Sequence, residues 1–351
     1  MIVTFLLLAA LAAKAQFSST TINGSITITA YNGPGGAVII PTNINSLPVT
    51  AIASEAFYER YSVTGVTIPD TVTNIGDYAF YNCANMTGVT LPAALAGIGN
   101  YSFEGCSSLT NIVLPAGVAC LGTETFGYCS NLASVTFSGS LTNIGFGEFS
   151  DCANLTNVTI PGSVSSIGDY AFSGCKRLNS VAIPGSVTNI GYGAFMSCAG
   201  LAAVSIPNSV TNIEDYAFYL CSNLTNVYFN GNAPAADSTV FANDRTTAYY
   251  MPGAVGWGSS FASIPTVPQT LPYPVILTSD GCFGAQSNQF GFNICWATNV
   301  PVVVESCGNL VRRNWQPVQT LTLTNGLCFF SDPDTNWTAY PNRFYRVVAA
   351  P

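Results

Sequence analysis

Seven cysteines recur at a constant interval of 23 residues, and this periodicity limits the chain to a stacked architecture. The recurring cysteines are Cys83, Cys106, Cys129, Cys152, Cys175, Cys198 and Cys221. The same interval separates a column of phenylalanines, which are Phe57, Phe80, Phe103, Phe126, Phe149, Phe172, Phe195 and Phe218. A repeat of about 20 to 50 residues is typical of solenoids, because each unit buries its apolar face only against its neighbours. The sequence therefore predicts a solenoid of about eight units over residues 49–232, with an N-terminal cap over 16–48 and a C-terminal cap and proline-rich linker over 233–270.

Each unit is predicted to combine short extended segments with a compact turn. Val181 and Ile183 alternate toward one side of a short strand, and Pro184 ends this strand because it has no N–H group to donate. A second extended segment is predicted over residues 187–190. Over residues 191–198 the apolar positions fall at helical spacing, which predicts about two turns of α-helix or a 3₁₀ segment.

The cysteines of the repeat are predicted to be buried thiols. Neighbouring cysteines of a stacked array would lie about 4.8 Å apart with their Cβ atoms pointing the same way. A disulfide requires a Cβ–Cβ distance of about 3.8 Å and a defined torsion angle. We therefore expect these cysteines to act as small apolar side chains inside the array.

The segments 76–83 and 168–175 share the pattern Gly-Asp-Tyr-Ala-Phe-x-x-Cys, and the spacing Cys-x-x-Leu-x-x-Val-x-Ile begins at Cys175. This combination resembles the BspA-like, or Treponema-type, leucine-rich repeat of 23 residues. Arg60 at a cysteine position and Ser138 at a proline position are local departures from the pattern. The resemblance implies a right-handed leucine-rich-repeat array in an exported or surface protein engaged in adhesion or protein recognition.

The composition excludes several classes of function. The chain contains no histidine, which rules out Ser-His-Asp and Cys-His catalysis and histidine metal sites. Its net charge of −8 argues against a nucleic-acid partner, since such binding depends on Lys and Arg. Single carboxylates in successive units, such as Glu104, Glu124 and Glu148, indicate a solvated face rather than an acid–base pair. Residues 332–336 resemble a calcium loop only in part and predict an Asx-rich turn, so we expect no catalytic residue, cofactor or metal ion.

Two sets of repeated residues are candidates for ligand contact. Tyrosines can stack on sugars or anchor a protein interface, and the recurring ones are Tyr78, Tyr101, Tyr170 and Tyr216. A polar face without charge is predicted along the strands by Thr87, Thr110, Thr156 and Asn157. Both sets also have a structural interpretation, because their positions follow the repeat itself.

The N-terminal residues are predicted to form a secretory signal peptide. Residues 2–13 form an apolar run that is too short to span a bilayer, and residues 13–15 form a small-x-small cleavage site. Cleavage is expected after Ala15, although no basic residue precedes the apolar run. The mature chain is predicted to contain no transmembrane segment.

The composition changes after residue 270, where short β-like runs alternate with turn signals. Residues 271–351 therefore predict a small all-β, sandwich-like module. Its four cysteines are candidates for disulfides whose pairing the sequence leaves open, and they are Cys282, Cys295, Cys307 and Cys328.

These features predict a secreted or cell-surface protein that binds a protein or glycan without catalysis. The alternative is a structural spacer of an envelope or matrix, with the C-terminal module serving as a carbohydrate-binding or sorting domain. An enzyme with its active site in residues 271–351 is a third interpretation, which the small size of this module and the lack of histidine disfavour.

Overall fold

The computed structural model describes residues 16–272, 274–277, 282–286, 289–297, 299–311, 313–324, 326–334 and 343–350. The predicted signal peptide, residues 1–15, lies outside the described residues, as do 335 and 336 of the predicted Asx-rich turn. The chain forms two compact units. The first comprises the chain up to Val227 with Pro234–Thr246 and Ala262–Ile264, and the second comprises Tyr228–Ala233, Thr247–Phe261 and the residues from Pro265 onward. The proposed domain boundaries at 232 and 270 stay a prediction.

Short strands from successive coils stack along two sides of the repeats. In chain order they are β1 (Phe17–Ile22), β2 (Ser25–Tyr31), β3 (Gly36–Ile39), β4 (Asn43–Ile44), β5 (Leu47–Ile52), β6 (Val63–Thr67), β7 (Asn74–Ile75), β8 (Gly88–Thr90), β9 (Gly97–Ile98), β10 (Asn111–Leu114), β11 (Ser134–Phe137), β12 (Asn143–Ile144), β13 (Asn157–Thr159), β14 (Ser166–Ile167), β15 (Ser180–Ala182), β16 (Asn189–Ile190), β17 (Ala203–Ile206), β18 (Asn212–Ile213) and β19 (Asn226–Phe229).

Strands of successive coils pair in parallel and form two rows, whereas β1–β2 and β4–β5 pair antiparallel. The first row contains the sheets β3-β6-β8, β10-β11 and the run β13-β15-β17-β19. The second row contains β5-β7-β9, which β1 and β2 extend at the N-terminal end, and the sheet β12-β14-β16-β18. The register between coils is 23 residues, as in the pairs Ile75↔Ile98 and Ile144↔Ile167. The predicted solenoid is therefore confirmed.

A third segment closes each coil, and we call it the turn arc; residues 76–83 form one example. Its backbone N–H groups donate to the next coil: Tyr78 to the Asn100 carbonyl at 2.8 Å and Phe80 to the Ser102 carbonyl at 2.7 Å. Each regular arc contains two residues with left-handed backbone, such as Tyr78 with φ of 55° and Asn82 with φ of 54°.

The predicted helical segment over 191–198 is therefore wrong. Gly193 and Ser197 have φ of 56° and 60°, and left-handed residues at this spacing are incompatible with a right-handed helix. The N–H groups of Gly193 and Phe195 instead donate to carbonyls of the next coil. The alternate N–H groups close turns within the arc, as that of Ala194 does to the Gly191 carbonyl at 3.2 Å, so the local bonds form isolated turns rather than a helix.

The phenylalanine column forms the centre of the solenoid. Rings from adjacent coils stack with centroid distances between 4.7 Å for Phe57–Phe80 and 5.8 Å for Phe126–Phe149, and the rings are fully buried. Tyr31 stacks on Phe57 at 5.1 Å, and Phe241 stacks on Phe218 at 5.5 Å. The stack therefore extends one coil beyond the predicted phenylalanines at each end.

The cysteine column lies beside the phenylalanine column and consists of buried free thiols. Each thiol donates to the phenylalanine carbonyl of the preceding coil, as Cys106 does to Phe80 at 3.2 Å. The Phe80 carbonyl also accepts the N–H of Cys83 at 3.2 Å, so it has one donor from each of two coils. Burial raises the pKa of the Cys83 thiol to about 12, which keeps it protonated and able to donate.

In the described part of the chain ten further strands follow β19, and all but the first residue of one of them belong to the second unit. They are β20 (Thr247–Tyr250), β21 (Ser260–Phe261), β22 (Ile264–Pro268), β23 (Val275–Leu277), β24 (Gly284–Gln286), β25 (Gln289–Cys295), β26 (Pro301–Cys307), β27 (Gln316–Thr322), β28 (Leu327–Ser331) and β29 (Phe344–Ala349). One antiparallel sheet has the order β23-β25-β24 with β28 paired to β25, and the other has the order β27-β26-β29. Phe292 of the first sheet and Val304 of the second belong to one buried cluster, which agrees with the predicted all-β, sandwich-like module.

The polar candidates of this module have structural roles in the described residues. The carboxylate of Asp332 accepts the N–H of Asp334 at 3.0 Å, which is the predicted Asx turn. Arg343 forms ion pairs with Asp332 at 3.2 Å and with Asp334 at 3.0 Å. A cationic side chain thus occupies the place where a calcium ion would be expected.

The four cysteines of the module lie on or beside the two sheets. Cys295 and Cys307 are buried, while Cys282 and Cys328 are half-buried. Cys307 and Cys328 are free thiols, so the structure gives no support for a bridge from either of them. The pairing of these four cysteines stays a prediction.

The cysteine column leads to a first prediction. Replacing Cys152 by alanine removes a buried sulfur atom and its hydrogen bond to the Phe126 carbonyl. We expect the free energy of unfolding, measured by urea denaturation, to fall by about 1–3 kcal/mol. The exposed Cys120 is the control, and Cys120→Ala should change that free energy by less than about 0.5 kcal/mol. Equal losses in the two variants would contradict a stabilising role for the buried thiol.

Candidate functional site

The two sets of candidate contact residues lie on different sides of the coil. Tyr78 and its equivalents belong to the turn arcs, whereas Thr87 and its equivalents lie at the first row of strands. No hydrogen bond or ring contact joins the two sets in the described part of the chain. The two predicted sets therefore form two separate surfaces.

The polar groups on the strand side are largely used to join coils. The Thr87 hydroxyl donates to the Thr64 carbonyl at 3.0 Å, and the Thr110 hydroxyl donates to the Thr87 carbonyl at 3.4 Å. Thr156 makes the equivalent bond to the preceding coil. Asn157 accepts the hydroxyl of Ser180 at 2.7 Å. These contacts favour the structural interpretation of Thr87, Thr110, Thr156 and Asn157.

The four predicted tyrosines all occupy the first left-handed position of their arcs. Their φ values lie between 54° and 58°, a region that costs a non-glycine residue about 1 kcal/mol or more. Tyr78 and Tyr101 stack with centroids 4.8 Å apart and planes 15° apart. Tyr170 and Tyr216 each contact the ring of Tyr192, at 5.2 Å and 5.5 Å. Ring contacts between coils help to offset the backbone cost at these positions.

Further aromatic residues on the arcs were missed by the sequence analysis, because they occupy other positions of the unit. Tyr58, Tyr81 and Tyr219 directly follow the buried phenylalanine, and Tyr58 stacks on Tyr81 at 5.0 Å. Comparing every position of the unit for aromatic content would have found them. We call the complete set the tyrosine ridge, and it consists of Tyr58, Tyr78, Tyr81, Tyr101, Tyr128, Tyr170, Tyr192, Tyr216 and Tyr219.

Ten of the eleven acidic residues in 49–232, all but Asp70, share the arcs with the tyrosine ridge. They are Glu55, Glu59, Asp77, Glu104, Glu124, Glu148, Asp151, Asp169, Glu214 and Asp215. Some of them join coils, since Asp77 accepts the N–H of Asn100 at 2.7 Å and Asp169 accepts that of Tyr192 at 3.0 Å. In the described residues of the first unit no carboxylate forms an ion pair with Lys or Arg. The arcs therefore present an aromatic and uncompensated acidic surface.

The ridge is interrupted where Glu124 and Gly147 replace tyrosine at the left-handed position. The interruption leaves a groove of about 140 Å³, which we call the acidic groove. Its lining residues are Glu124, Tyr128, Phe146, Gly147, Ser150, Asp151, Tyr170 and Ser173. Burial raises the pKa of the Glu124 carboxyl, and burial together with the charge of Glu124 raises the pKa of Glu104 to about 7.

Glu148 departs most from its column, where other coils have Ala, Ser or Thr. Its side chain is 1% exposed, and neither carboxylate oxygen makes a hydrogen bond of acceptable geometry. Burial raises its pKa well above the ordinary value, and the nearby polar groups of Thr125 and Gly145 oppose this rise only in part. The expectation that Glu148 lies on a solvated face is wrong, because its position in the unit points into the core.

The repeats of this chain match the model of a known protein family. The model for the BspA type leucine-rich repeat region (6 copies) matches residues 50–162 and 142–256, which together are more than half of the chain. The chain belongs to the BspA-type leucine-rich repeat family. No curated protein matches it. In the part of this BspA-type protein that the structure describes, no helix is both long and apolar enough to cross a membrane.

Solved structures of similar proteins come from several bacteria. A leucine-rich repeat protein of Bacteroides ovatus has 26% sequence identity and a TM-score of 0.54, and the match covers 68% of this chain and 70% of that one. The leucine-rich repeat protein of T. pallidum has 33% identity and a TM-score of 0.47, covering 53% of this chain and 88% of that one. A leucine-rich cell surface protein of Faecalibacterium prausnitzii has 21% identity and a TM-score of 0.34, covering 67% and 93%.

The buried Glu148 gives a prediction of pH dependence. The pKa of Glu148 is higher in the native state than its value of 4.5 in the unfolded state. Between these two pKa values the native state binds more protons than the unfolded state. The free energy of unfolding therefore falls as the pH rises from the unfolded pKa to the native pKa. Glu148→Gln removes this titration. We expect the variant to match the original chain at about pH 4 and to gain about 1–3 kcal/mol of unfolding free energy at about pH 8.

Urea denaturation across this pH range measures the effect. Glu55→Gln is the control, because Glu55 lies exposed on the same surface of another coil. If the difference in unfolding free energy between Glu148→Gln and the original chain is the same at both pH values, the assignment of a neutral buried carboxyl is contradicted.

Proposed function

We propose that this BspA-type protein is a non-catalytic recognition protein that binds a protein or glycan partner through the tyrosine ridge. The observation that carries the proposal is the concentration of tyrosine and carboxylate side chains on the turn arcs, where Tyr58 and Tyr128 are exposed and the other ridge tyrosines are half-buried. Tyrosine supplies large contact area, a hydroxyl for hydrogen bonding and little conformational entropy to lose, which is why it is enriched at binding surfaces. A rigid array of stacked coils holds such residues at fixed spacing.

The strand side supports this choice by contrast. Thr87, Thr110 and Thr156 already donate their hydroxyl protons to backbone carbonyls, so these donors are occupied. The rings of the ridge keep part of their surface in solvent, with Tyr58 41% exposed and Tyr128 52% exposed. A partner would therefore gain more contact area from the arcs than from the strands.

The absence of histidine supports a non-catalytic role, because general acid–base chemistry near neutral pH most often uses that residue. The carboxylates of the arcs instead contribute hydrogen bonds between coils and negative potential. Asp77, for example, accepts the N–H of Asn100 of the next coil. These roles suit recognition rather than bond cleavage.

We also propose that the chain is exported with cleavage after Ala15, on the strength of the apolar run that precedes this residue. Expression of the complete chain in a bacterial host and N-terminal sequencing of the product tests this. A mature N-terminus at Gln16 is expected, and recovery of the uncleaved chain in the cytosol would contradict export.

The binding proposal is tested with the chain from residue 16 on extracellular-protein and glycan arrays. We expect saturable binding to at least one array member. The pair Tyr78→Asn and Tyr101→Asn should weaken it by about tenfold, because asparagine tolerates the left-handed backbone but removes the stacked rings.

Thr159→Ala on the exposed strand side is the matched control and should leave the affinity within about twofold. Circular dichroism confirms that each variant is folded. Binding lost in Thr159→Ala but retained in the tyrosine pair, or no saturable binding at all, would contradict the proposal and favour a structural spacer.

A further inference from the structure

The acidic groove lies where two successive arcs have Glu124 and Gly147 instead of tyrosine at the left-handed position. At the left-handed position of the arc, where Tyr101 and Tyr170 place a ring, Gly147 has none. A Cβ at Gly147 would lie 2.5 Å from Cγ of Glu124, so the side chain of Glu124 occupies part of the space that a tyrosine ring would fill. The rest of that space is open to solvent.

Aromatic rings and carboxylates line the groove together. Tyr128 is 52% exposed and Phe146 is 45% exposed, although both have large apolar surfaces. Phe146 meets the ring of Tyr170 edge-on at 5.6 Å. Glu124 and Asp151 contribute carboxylates to the same lining. Rings beside carboxylates form the surroundings in which proteins bind cationic groups, through charge and cation–π attraction.

The negative charge at the groove has no internal counter-ion. In the described residues of the first unit no Lys or Arg forms an ion pair. Burial raises the pKa of the Tyr128 phenol, and the nearby carboxylates of Asp151, Glu124 and Glu104 add to this rise. A bound cation would relieve the repulsion among these groups.

The size of the groove limits its occupant. Pockets for drug-sized molecules measure about 300–1,000 Å³, whereas this groove measures about 140 Å³. It has room for the end of one side chain, and it lies within the tyrosine ridge. We propose that the acidic groove binds a lysine or arginine side chain of a basic segment of a protein partner. This inference rests on the proposed role of the ridge in recognition and names the chemistry of the partner.

The test uses the full chain and a short fluorescein-labelled oligolysine, with an oligoglutamine of equal length as the neutral probe. Fluorescence anisotropy gives the dissociation constant at ionic strengths of about 0.01 M and about 0.15 M. Gly147→Tyr fills the groove without changing the charge, and its backbone conformation is one that tyrosine adopts at Tyr78, Tyr101 and Tyr170. We expect this variant to weaken oligolysine binding by about tenfold at both ionic strengths.

Gly24→Tyr is the control, because it adds a tyrosine at a left-handed glycine between β1 and β2, where a Cβ would meet nothing within 4 Å and no residue lines the groove. It should leave oligolysine binding within about twofold. Equal affinity of Gly147→Tyr and the original chain would overturn the proposal, since attraction would then come from the overall negative charge.

A second pair of variants keeps the test decisive if Gly147→Tyr does not fold. Glu124→Gln combined with Asp151→Asn removes two charges at the groove, and Glu55→Gln combined with Asp70→Asn removes two charges elsewhere. Only the first pair should weaken oligolysine binding by about tenfold at about 0.15 M ionic strength. Equal weakening by both pairs, or binding of oligoglutamine as strong as that of oligolysine, would overturn the proposal.

The two proposals fail separately. If the Tyr78→Asn and Tyr101→Asn pair loses the array partner but Gly147→Tyr does not weaken oligolysine binding, the groove proposal fails and the proposed role of the ridge is retained. If Gly147→Tyr weakens oligolysine binding but the tyrosine pair leaves the affinity for the array partner unchanged, the cation site is supported and recognition through the wider ridge is contradicted. If the array partner is a glycan and its affinity is unchanged in Gly147→Tyr, a basic protein segment is contradicted as the occupant of the groove.

Discussion

Hydrogen bonds between the backbones of successive turn arcs hold the solenoid in register. The N–H groups of Tyr78 and Phe80 donate to the next coil, and the Phe80 carbonyl accepts the thiol of Cys106. A single coil would leave these N–H and C=O groups without partners in the protein. Its own apolar contacts would not offset the free energy lost with these hydrogen bonds. The requirement for a neighbour explains why the phenylalanine stack continues through Tyr31 and Phe241 beyond the regular units.

The same register places every side chain over its equivalent in the next coil, which favours rings and disfavours charges. Stacked phenylalanines gain contact area from this alignment, whereas like carboxylates would repel each other. The column that begins at Asp77 shows the compromise. Asp77 accepts the N–H of Asn100, and the Asn100 side chain accepts that of Thr123 at 2.8 Å, so the hydrogen bond continues without a second charge. In this column the charge of Asp77 is thus followed by two uncharged side chains.

Periodicity predicted the parts of the fold that depend on burial alone. The phenylalanine and cysteine columns, the strands and the solenoid followed from the 23-residue interval. The helical turn did not, because the spacing of Ala194, Phe195 and Cys198 fits both a helix and an arc, and only the left-handed backbone distinguishes them. The candidate site was predicted only in part. Tyr78 and its equivalents were found, but their separation from Thr87 depends on which side of the coil each segment occupies.

Departures from the repeat carry information that the repeat itself cannot. A residue that recurs in every coil is explained by stacking, so its presence says little about a partner. Glu148 breaks its column in one coil, and Glu124 and Gly147 bring two departures from tyrosine together in successive coils. Glu148 lowers the stability of the array at neutral pH, since its carboxyl is buried without a hydrogen-bond partner. A cost of this kind beside an aromatic and acidic groove is expected of a surface shaped for binding rather than for stacking.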